Sequence, residues 1–270
     1  MKGAALFMNE RRIIQTGIDV SRYQGKIDWA RVKAGGTGFA IIKCTQGVNT
    51  VDPEFHRNMR NCAAVGLPVG AYVYSRARTA FAAAEEAERA AEECAPYHLD
   101  YPIAMDFEAA QFLAMPKKTR GAIIDAFCTR IEARGYKPML YSSKYWLSAL
   151  IPSETTRRWD VWLAQYASRP TYSGDFTMWQ RGTGKVDGIA GRVDIDICYR
   201  NYVDESPDRI VFALTSPMMQ GKPVSALQAM LNAAGYTASD GQRLNVDGKL
   251  GKCSFSAFVE FLNAHKKYIE

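Results

Sequence analysis

The sequence predicts an α/β protein, an irregular TIM-like barrel followed by a small helical module, and three observations point that way. The chain has 270 residues, which against roughly 150 residues per domain fits one large domain or a large one with a small one. Short apolar runs alternate with longer helical patterns from residue 17 to about residue 203. Strand and helix in repeated succession imply a parallel sheet, and seven or eight strand candidates in that span favour a closed barrel over an open sheet.

The strand candidates are residues 17–20 (GIDV), 39–43 (FAIIK), 69–74 (VGAYVY), 103–107 (IAMDF), 139–141 (MLY) and 161–164 (VWLA). They lack polar alternation, as strands buried on both faces do. Between them lie Ala/Glu/Arg-rich stretches such as 79–94 and 119–134, strong helix formers with a periodic apolar face. After Trp159 the helices shorten or vanish, while 176–180 (FTMWQ) and 192–199 (RVDIDICY) still read as strands, so the last strands are expected to be joined by loops. Residues 1–16 are an N-terminal extension, 17–203 the barrel and 204–222 a linker whose IVFAL stretch is the alternative cover for a barrel edge. Residues 223–270 form the helical module, with Val224, Leu227, Met230 and Leu231 on one helical face and Phe255, Phe258, Val259 and Leu262 on another.

Composition narrows the function. With 47% hydrophobic and 23% charged residues the chain is of ordinary globular type. The excess of basic over acidic residues, 34 against 28, is spread without the Lys/Arg runs of a nucleic-acid footprint, and it favours anionic surfaces such as cell wall. No window approaches the roughly 18 apolar residues that span a bilayer, and MKGAALFMNE is too short in apolar content for a signal-peptide core, so neither membrane insertion nor a Sec signal is expected. Six scattered cysteines and three isolated histidines make zinc sites and disulfide frameworks poor readings; the cysteines are expected to be reduced packing residues. No cofactor and no metal is expected, and oligomeric state is left open.

Acids interrupt the apolar strands. Asp19 ends GID, Asp106 and Glu108 end IAMDFE, and Asp194 and Asp196 punctuate VDID, so each set is placed at or near the C-terminal end of a strand, where a (β/α) barrel builds its active site. With the two-residue repeat of a strand, Asp106 and Glu108 share a side with Cα atoms roughly 6.6 Å apart. Carboxyls that close perturb each other, so that one stays protonated while the other ionises, as acid-catalysed glycoside cleavage requires. Taken singly, each acid could instead cap a helix or pair with a lysine such as Lys43. A hydrolytic metal cluster could use the same acids, though transition-metal sites usually recruit histidine, absent from these strand ends. Aromatic side chains in or just after the strands suit a sugar ligand, whose apolar ring faces pack on aromatic faces. Tyr74, Tyr141 and Tyr166 are assigned to the cleft, with Trp179, Gln165 and Lys43 completing the expected substrate-binding set; Tyr72 and Trp162, flanked by apolar residues, are assigned to the core.

In order along the chain, GIDVSRYQGKIDW (17–29), FAIIKCTQG (39–47), GAYVYS (70–75), YPIAMDFE (101–108), PMLYSS (138–143), VWLAQY (161–166) and MWQRGTGKVDGIAGRVDID (178–196) resemble the motifs of glycoside hydrolase family 25, the muramidase-type lysozymes of phages, bacteria and some fungi. The resemblance implies an irregular α/β barrel that cleaves the β-1,4 bond from N-acetylmuramic acid to N-acetylglucosamine in peptidoglycan. It makes Glu108 the general acid, and Asp106 either the group that orients the substrate acetamido for self-assisted cleavage or a direct nucleophile. Asp19 and Asp194 become further acids lining the site. Asp196 stands where the family often has asparagine and is placed behind the site; Arg181 stands where the family usually has tyrosine.

The segment from 224 to 266 resembles a small three-helix peptidoglycan-binding module, with VDGKLG (246–251) at its turn. Together the two resemblances imply a phage or prophage endolysin made in the host cytoplasm, with peptidoglycan as its partner, reaching the wall through a holin or on lysis. The competing readings are a metal-dependent polysaccharide hydrolase or deacetylase and a non-catalytic wall-binding protein.

Overall fold

The described residues, 12–205 and 218–264, are ordered in a computed structural model whose contacts divide the chain into two compact units, 1–207 and 208–270. The first unit runs β1 (Gln15–Val20), α1 (Trp29–Ala34), β2 (Ala40–Gln46), β3 (Thr50–Val51), α2 (Phe55–Ala64), β4 (Val69–Tyr74), α3 (Ala80–Cys94) and β5 (Ile103–Asp106). It continues through α4 (Lys117–Ala133), β6 (Pro138–Ser143), α5 (Ser153–Arg158), β7 (Asp160–Ala164), β8 (Met178–Gly184), β9 (Val193–Cys198) and α6 (Tyr202–Glu205). Side-chain caps start several helices: the Asp28 carboxylate accepts from Arg31 N and the Thr79 hydroxyl from Ala82 N, satisfying amides that a helix start leaves open.

The strand order β1-β9-β8-β7-β6-β5-β4-β2-β3, with a further β1–β2 pairing, closes eight strands into a barrel and leaves β3 as a short appendage. Neighbours from β1 through β2 and β4 to β8 run parallel, whereas β9 is antiparallel to both β8 and β1. This corrects the placement of the VDID acids. Asp194 lies near the start of β9, not at a C-terminal strand end, and the reversed strand brings that start to the rim where the parallel strands finish, with Asp194 in register opposite Asp19 and Thr183. The cause is connection length, since a parallel crossover takes a dozen or more residues and residues 185–192 are too few.

Alternation along each strand divides its side chains between two cores. Ile18, Ile42, Val73, Met105, Leu140, Leu163 and Trp179 pack in the layer shared with the helices. Phe39, Ile41, Tyr101, Ala104, Met139, Trp162, Met178 and Cys198 make the second cluster, with Tyr72 and Tyr141 against it, which is the barrel interior. Tyr202 joins this cluster, its hydroxyl bonded to Asp160 and Thr177. Five of the six cysteines are buried and free; Cys253 is exposed.

In the second unit α7 (Lys222–Ala233) and α8 (Lys252–Ala264) share a core of Val224, Leu227, Leu231, Leu244, Leu250 and Ala257. Buried Gln228 holds the VDGKLG turn: its Oε1 accepts from Gly248 N, and its Nε2 lies within hydrogen-bond reach of Asp247, the Lys249 carbonyl and Ser254. Two helices are present here among the described residues, against the three that the resemblance implied; the stretch between them carries two isolated bridges. The IVFAL stretch, most of the expected linker and most of the N-terminal extension lie outside the described residues.

Gly70 of β4 shows how tightly the barrel is drawn. A Cβ there would sit 2.7 Å from the Pro102 carbonyl oxygen and 2.7 Å from Tyr101 Cβ on the neighbouring chain segment. Gly70→Ala is expected to destabilise the barrel by about 1–3 kcal/mol, as overpacking does, read as a lowered midpoint in denaturant unfolding.

Candidate active site

At the rim where the parallel strands end, the barrel opens into a cavity of about 240 Å³ lined by Asp19, Tyr72, Asp106, Glu108, Tyr141, Trp162, Tyr166, Gln180 and Asp194. The strands supply these side chains in turn: Asp19 from β1, Tyr72 from β4, Asp106 from β5, Tyr141 from β6, Trp162 from β7, Gln180 from β8 and Asp194 from β9. Each stands on its strand's inward-facing alternate positions, as Asp106 stands two residues beyond Ala104 and Asp19 two beyond Gly17. Glu108 follows β5 by two residues and is the exposed member of the acid set. All four acids expected to be catalytic therefore meet in one cavity.

A hydrogen-bond chain organises them. Tyr141 Oη donates to Gln180 Oε1 (2.9 Å), Gln180 Nε2 donates to Asp19 Oδ2 (2.8 Å), and Tyr166 Oη donates to Asp194 Oδ1 (2.7 Å). Behind Asp19, Asp196 is wholly buried and accepts from Trp162 Nε1 at 2.8 Å. Burial, then the charge of Asp194, pushes the Asp19 carboxyl up to about 7 despite the Gln180 hydrogen bond. Burial, then Asp19, holds Asp196 well above the usual carboxylate range.

Burial also lifts Asp106, followed by the charges of Glu108 and Asp19, while Lys43 opposes the rise. Asp106 is 7% exposed, and its Oδ1 has no hydrogen-bond partner. Glu108, exposed at the cavity mouth, is raised by partial loss of hydration among the cavity walls and then by the charge of Asp194. Within the pair, the Glu108 charge raises Asp106, whereas the neighbouring charge that raises Glu108 is Asp194.

The aromatic assignments split according to strand phase. Tyr141 and Tyr166 line the cavity as expected, and Tyr74 stands half-buried between Lys43 and Arg76, beside the lining residues. Trp179 is a correction: it is 3% exposed, packs in the helix-side layer and donates through Nε1 to the Gln165 carbonyl. Gln180, its neighbour, takes the inward position. Gln165 is a second correction, because both ends of its side chain bond Thr171 and pin the loop after β7. Tyr72 and Trp162, assigned to the core, are half-buried and buried respectively, and both also line the cavity. Counting alternate positions from Met178 would have selected Gln180 over Trp179. Arg181 is exposed, with its guanidinium 5.8 Å from the Trp179 ring centroid. Among the described residues no group of three or more His, Cys, Asp or Glu could hold a metal ion.

The description "Glycosyl hydrolases family 25" matches residues 18–189, which reach from β1 through the loop before β9. The chain belongs to glycosyl hydrolase family 25. Lysozyme M1 of Streptomyces globisporus is 31% identical over 193 residues, which cover 66% of this chain and 65% of that protein, so the chain spans just under two thirds of that relative. The uncharacterized protein YegX of Escherichia coli O157:H7 is 34% identical over 189 residues, 67% of this chain and 68% of its own. Among solved structures, a family 25 glycosyl hydrolase from Bacillus anthracis superposes with a TM-score of 0.58 at 26% identity, covering 70% of this chain and 91% of that one. The modular autolysin LytC of Streptococcus pneumoniae, in complex with a synthetic peptidoglycan ligand, gives 0.60 at 26%, covering 68% and 46%.

In this family 25 chain, the raised Asp19 makes site and stability compete. Its carboxyl titrates near 7 when folded and near 3.8 when unfolded, so the unfolded state gives up the proton first. The stability that the neutral form confers is complete below about pH 4 and is lost as pH rises through 7. Asp19→Asn keeps an acceptor for Gln180 and cannot ionise. It is expected to match the wild type near pH 4 and to exceed it by about 1–3 kcal/mol at pH 8, measured by denaturant unfolding at both pH values.

Proposed function

We propose that the chain is a lysozyme that hydrolyses the β-1,4 bond between N-acetylmuramic acid and N-acetylglucosamine in bacterial peptidoglycan. The observation that carries this is the pair at the end of β5: Glu108, exposed in the cavity with a raised pKa, and Asp106, buried beside it with an unpartnered carboxylate oxygen. Glu108 in its protonated form gives its proton to the glycosidic oxygen as the bond to the sugar C1 breaks. An acceptor as buried as Asp106 Oδ1 without a donor is costly, and a substrate amide N–H is the group that satisfies it. Held so, the acetamido carbonyl oxygen of the sugar can attack its own C1, the amide proton being held or taken by Asp106. A water molecule deprotonated by Glu108 then opens that ring and gives net retention. Direct attack by Asp106 on C1 gives the same stereochemistry and is the second route this geometry supports.

Tyr141, Tyr166, Tyr72 and Trp162 supply the sugar platform and its hydrogen bonds. No described helix is long and apolar enough to cross a membrane. The endolysin reading, with release to the wall through a holin or on lysis, is the biological setting that the resemblance favours, as the lysozyme of Lactococcus phage mv1 is 27% identical over 184 residues.

Glu108→Gln keeps shape and hydrogen bonding but has no proton to give, and a positioned general acid is worth roughly 100- to 10,000-fold. Mass spectrometry of fragments from purified peptidoglycan should show muramic acid at the reducing ends with wild-type protein and a loss of that magnitude with the variant. Glucosamine reducing ends, deacetylated glycan, or variant activity within about threefold of wild type would refute the assignment.

The second unit is proposed to tether the enzyme to the wall, raising local concentration without altering chemistry. Ending the chain within 204–222 is expected to leave hydrolysis of soluble oligomers nearly intact while weakening cosedimentation with cell walls. Loss of activity on soluble oligomers as well would instead make the unit a structural part of the barrel.

A further inference from the structure

Beside the cavity, the ends of β1, β2 and β4 carry a basic strip, here called the wall, whose character is opposite to that of the acidic lining. Arg22 and Tyr23 follow β1 in a tight turn capped by Ser21, Lys43 lies on β2, and Tyr74 and Arg76 finish and follow β4. These strands are consecutive neighbours in the barrel. The Arg22 guanidinium sits 5.2 Å from the centroid of the Tyr23 ring, which is 77% exposed, and the single Tyr74 ring takes Lys43 at 5.1 Å and Arg76 at 5.0 Å. Lys43 also feels Asp52, Asp106, Tyr23 and Arg22 electrostatically, so the strip lies near the acids of the floor.

None of the three cations forms a salt bridge with a carboxylate among the described residues. Lys43 Nζ reaches Gln46 at 3.3 Å, and Arg22 reaches only the Tyr23 hydroxyl at 3.5 Å. Asp52, whose charge Arg22 and Lys43 both feel, accepts from the backbone of Arg22 and Glu54, and Glu86 accepts from Ser75 and the backbone of Arg76. Lys43 alone faces Asp106 closely enough to offset the charge of the floor. Arg22 and Arg76 stand farther out, exposed to an incoming ligand.

We propose that Arg22, Lys43 and Arg76 form a carboxylate-binding subsite that engages the peptide stems carried by the glycan strand. The inference rests on the muramidase reading and adds the part of the substrate that this wall recognises. Three cations on or just beyond three adjacent strands, at roughly 4.8 Å per strand, span on the order of 10 Å. That reach suits the several carboxylates of a peptide stem better than the one carboxylate of a bare lactyl group. Arginine fits the role because its planar donors match a carboxylate bidentately, and cations resting on aromatic rings are held in place before the ligand arrives.

The test is calorimetric binding in the full-length Glu108→Gln protein, with and without the added pair Arg22→Ala and Arg76→Ala. The ligands are soluble glycan oligomers in three forms: stems intact, stem carboxyls amidated by carbodiimide, and stems removed by an amidase so that only lactyl carboxylates remain. The intact form should bind about tenfold more tightly than the amidated one at low salt. That preference should shrink toward unity in the arginine-free protein and at high ionic strength, where exposed charges are screened. Equal binding of intact and amidated forms, or an equal loss for all three in the arginine-free protein, would overturn the subsite. A preference confined to the stem-free form would reassign the ligand to the lactyl carboxylate and overturn the stem assignment. Cleavage by the parent protein is scored separately, so absence of muramic acid ends there would overturn the muramidase reading while the charge-dependent binding difference still decides the subsite.

Discussion

Everything about this site depends on carboxylates being held inside a barrel, where water cannot solvate them all. Asp19, Asp106 and Asp196 are buried and face one another or their neighbours Glu108 and Asp194. Charges in such surroundings disfavour ionisation, so protons stay on the acids at pH values where exposed carboxyls would have lost them. Proton retention is what a general acid needs. The same desolvation opposes the fold, and the hydrogen bonds from Gln180, Trp162 and Tyr166 partly offset it without abolishing it.

The barrel is able to bear that strain because its outward layer is so thoroughly apolar. Alternate residues of every strand feed a continuous core with the surrounding helices, including α3 and α4, and this layer is independent of the acids on the opposite phase. Strand alternation therefore separates two tasks within single elements. Met105 packs outward while Asp106 faces the cavity; Ile18 packs outward while Asp19 faces it. A shift of register by one residue would exchange the two sets and destroy both.

The electrostatic layout of the opening follows from the same closure. Acids converge on the floor because they project inward, whereas Arg22, Lys43 and Arg76 stand on one wall, beside or beyond the strand ends, where side chains reach solvent. An acidic floor beside a basic wall suits a ligand with a neutral sugar chain and anionic branches. Tyr74, gripped by two cations, marks the boundary between them.

Local pattern alone determined a great deal. Apolar runs without alternation marked six of the eight barrel strands, because strands covered on both faces cannot carry polar residues without cost; FTMWQ and RVDIDICY supplied the other two, and the acids that break the strands stood out as candidate site residues. The short β3 was not legible, two residues being too few to make a pattern. Nor was the direction of β9 read, although the brevity of residues 185–192 contained the signal. What only tertiary structure decided was which neighbour of an alternating pair faces the cavity and which acid feels which charge. Trp179 and Gln180 are neighbours on one strand, and only closure fixes which phase of that strand is the interior, sending one outward and one inward. Asp194 becomes the partner of Glu108 only when an antiparallel strand returns it to the rim. Strand propensity and hydrophobicity are properties of adjacent residues; phase, proximity and desolvation are properties of a closed sheet, and they exist only once residues far apart in the chain have met.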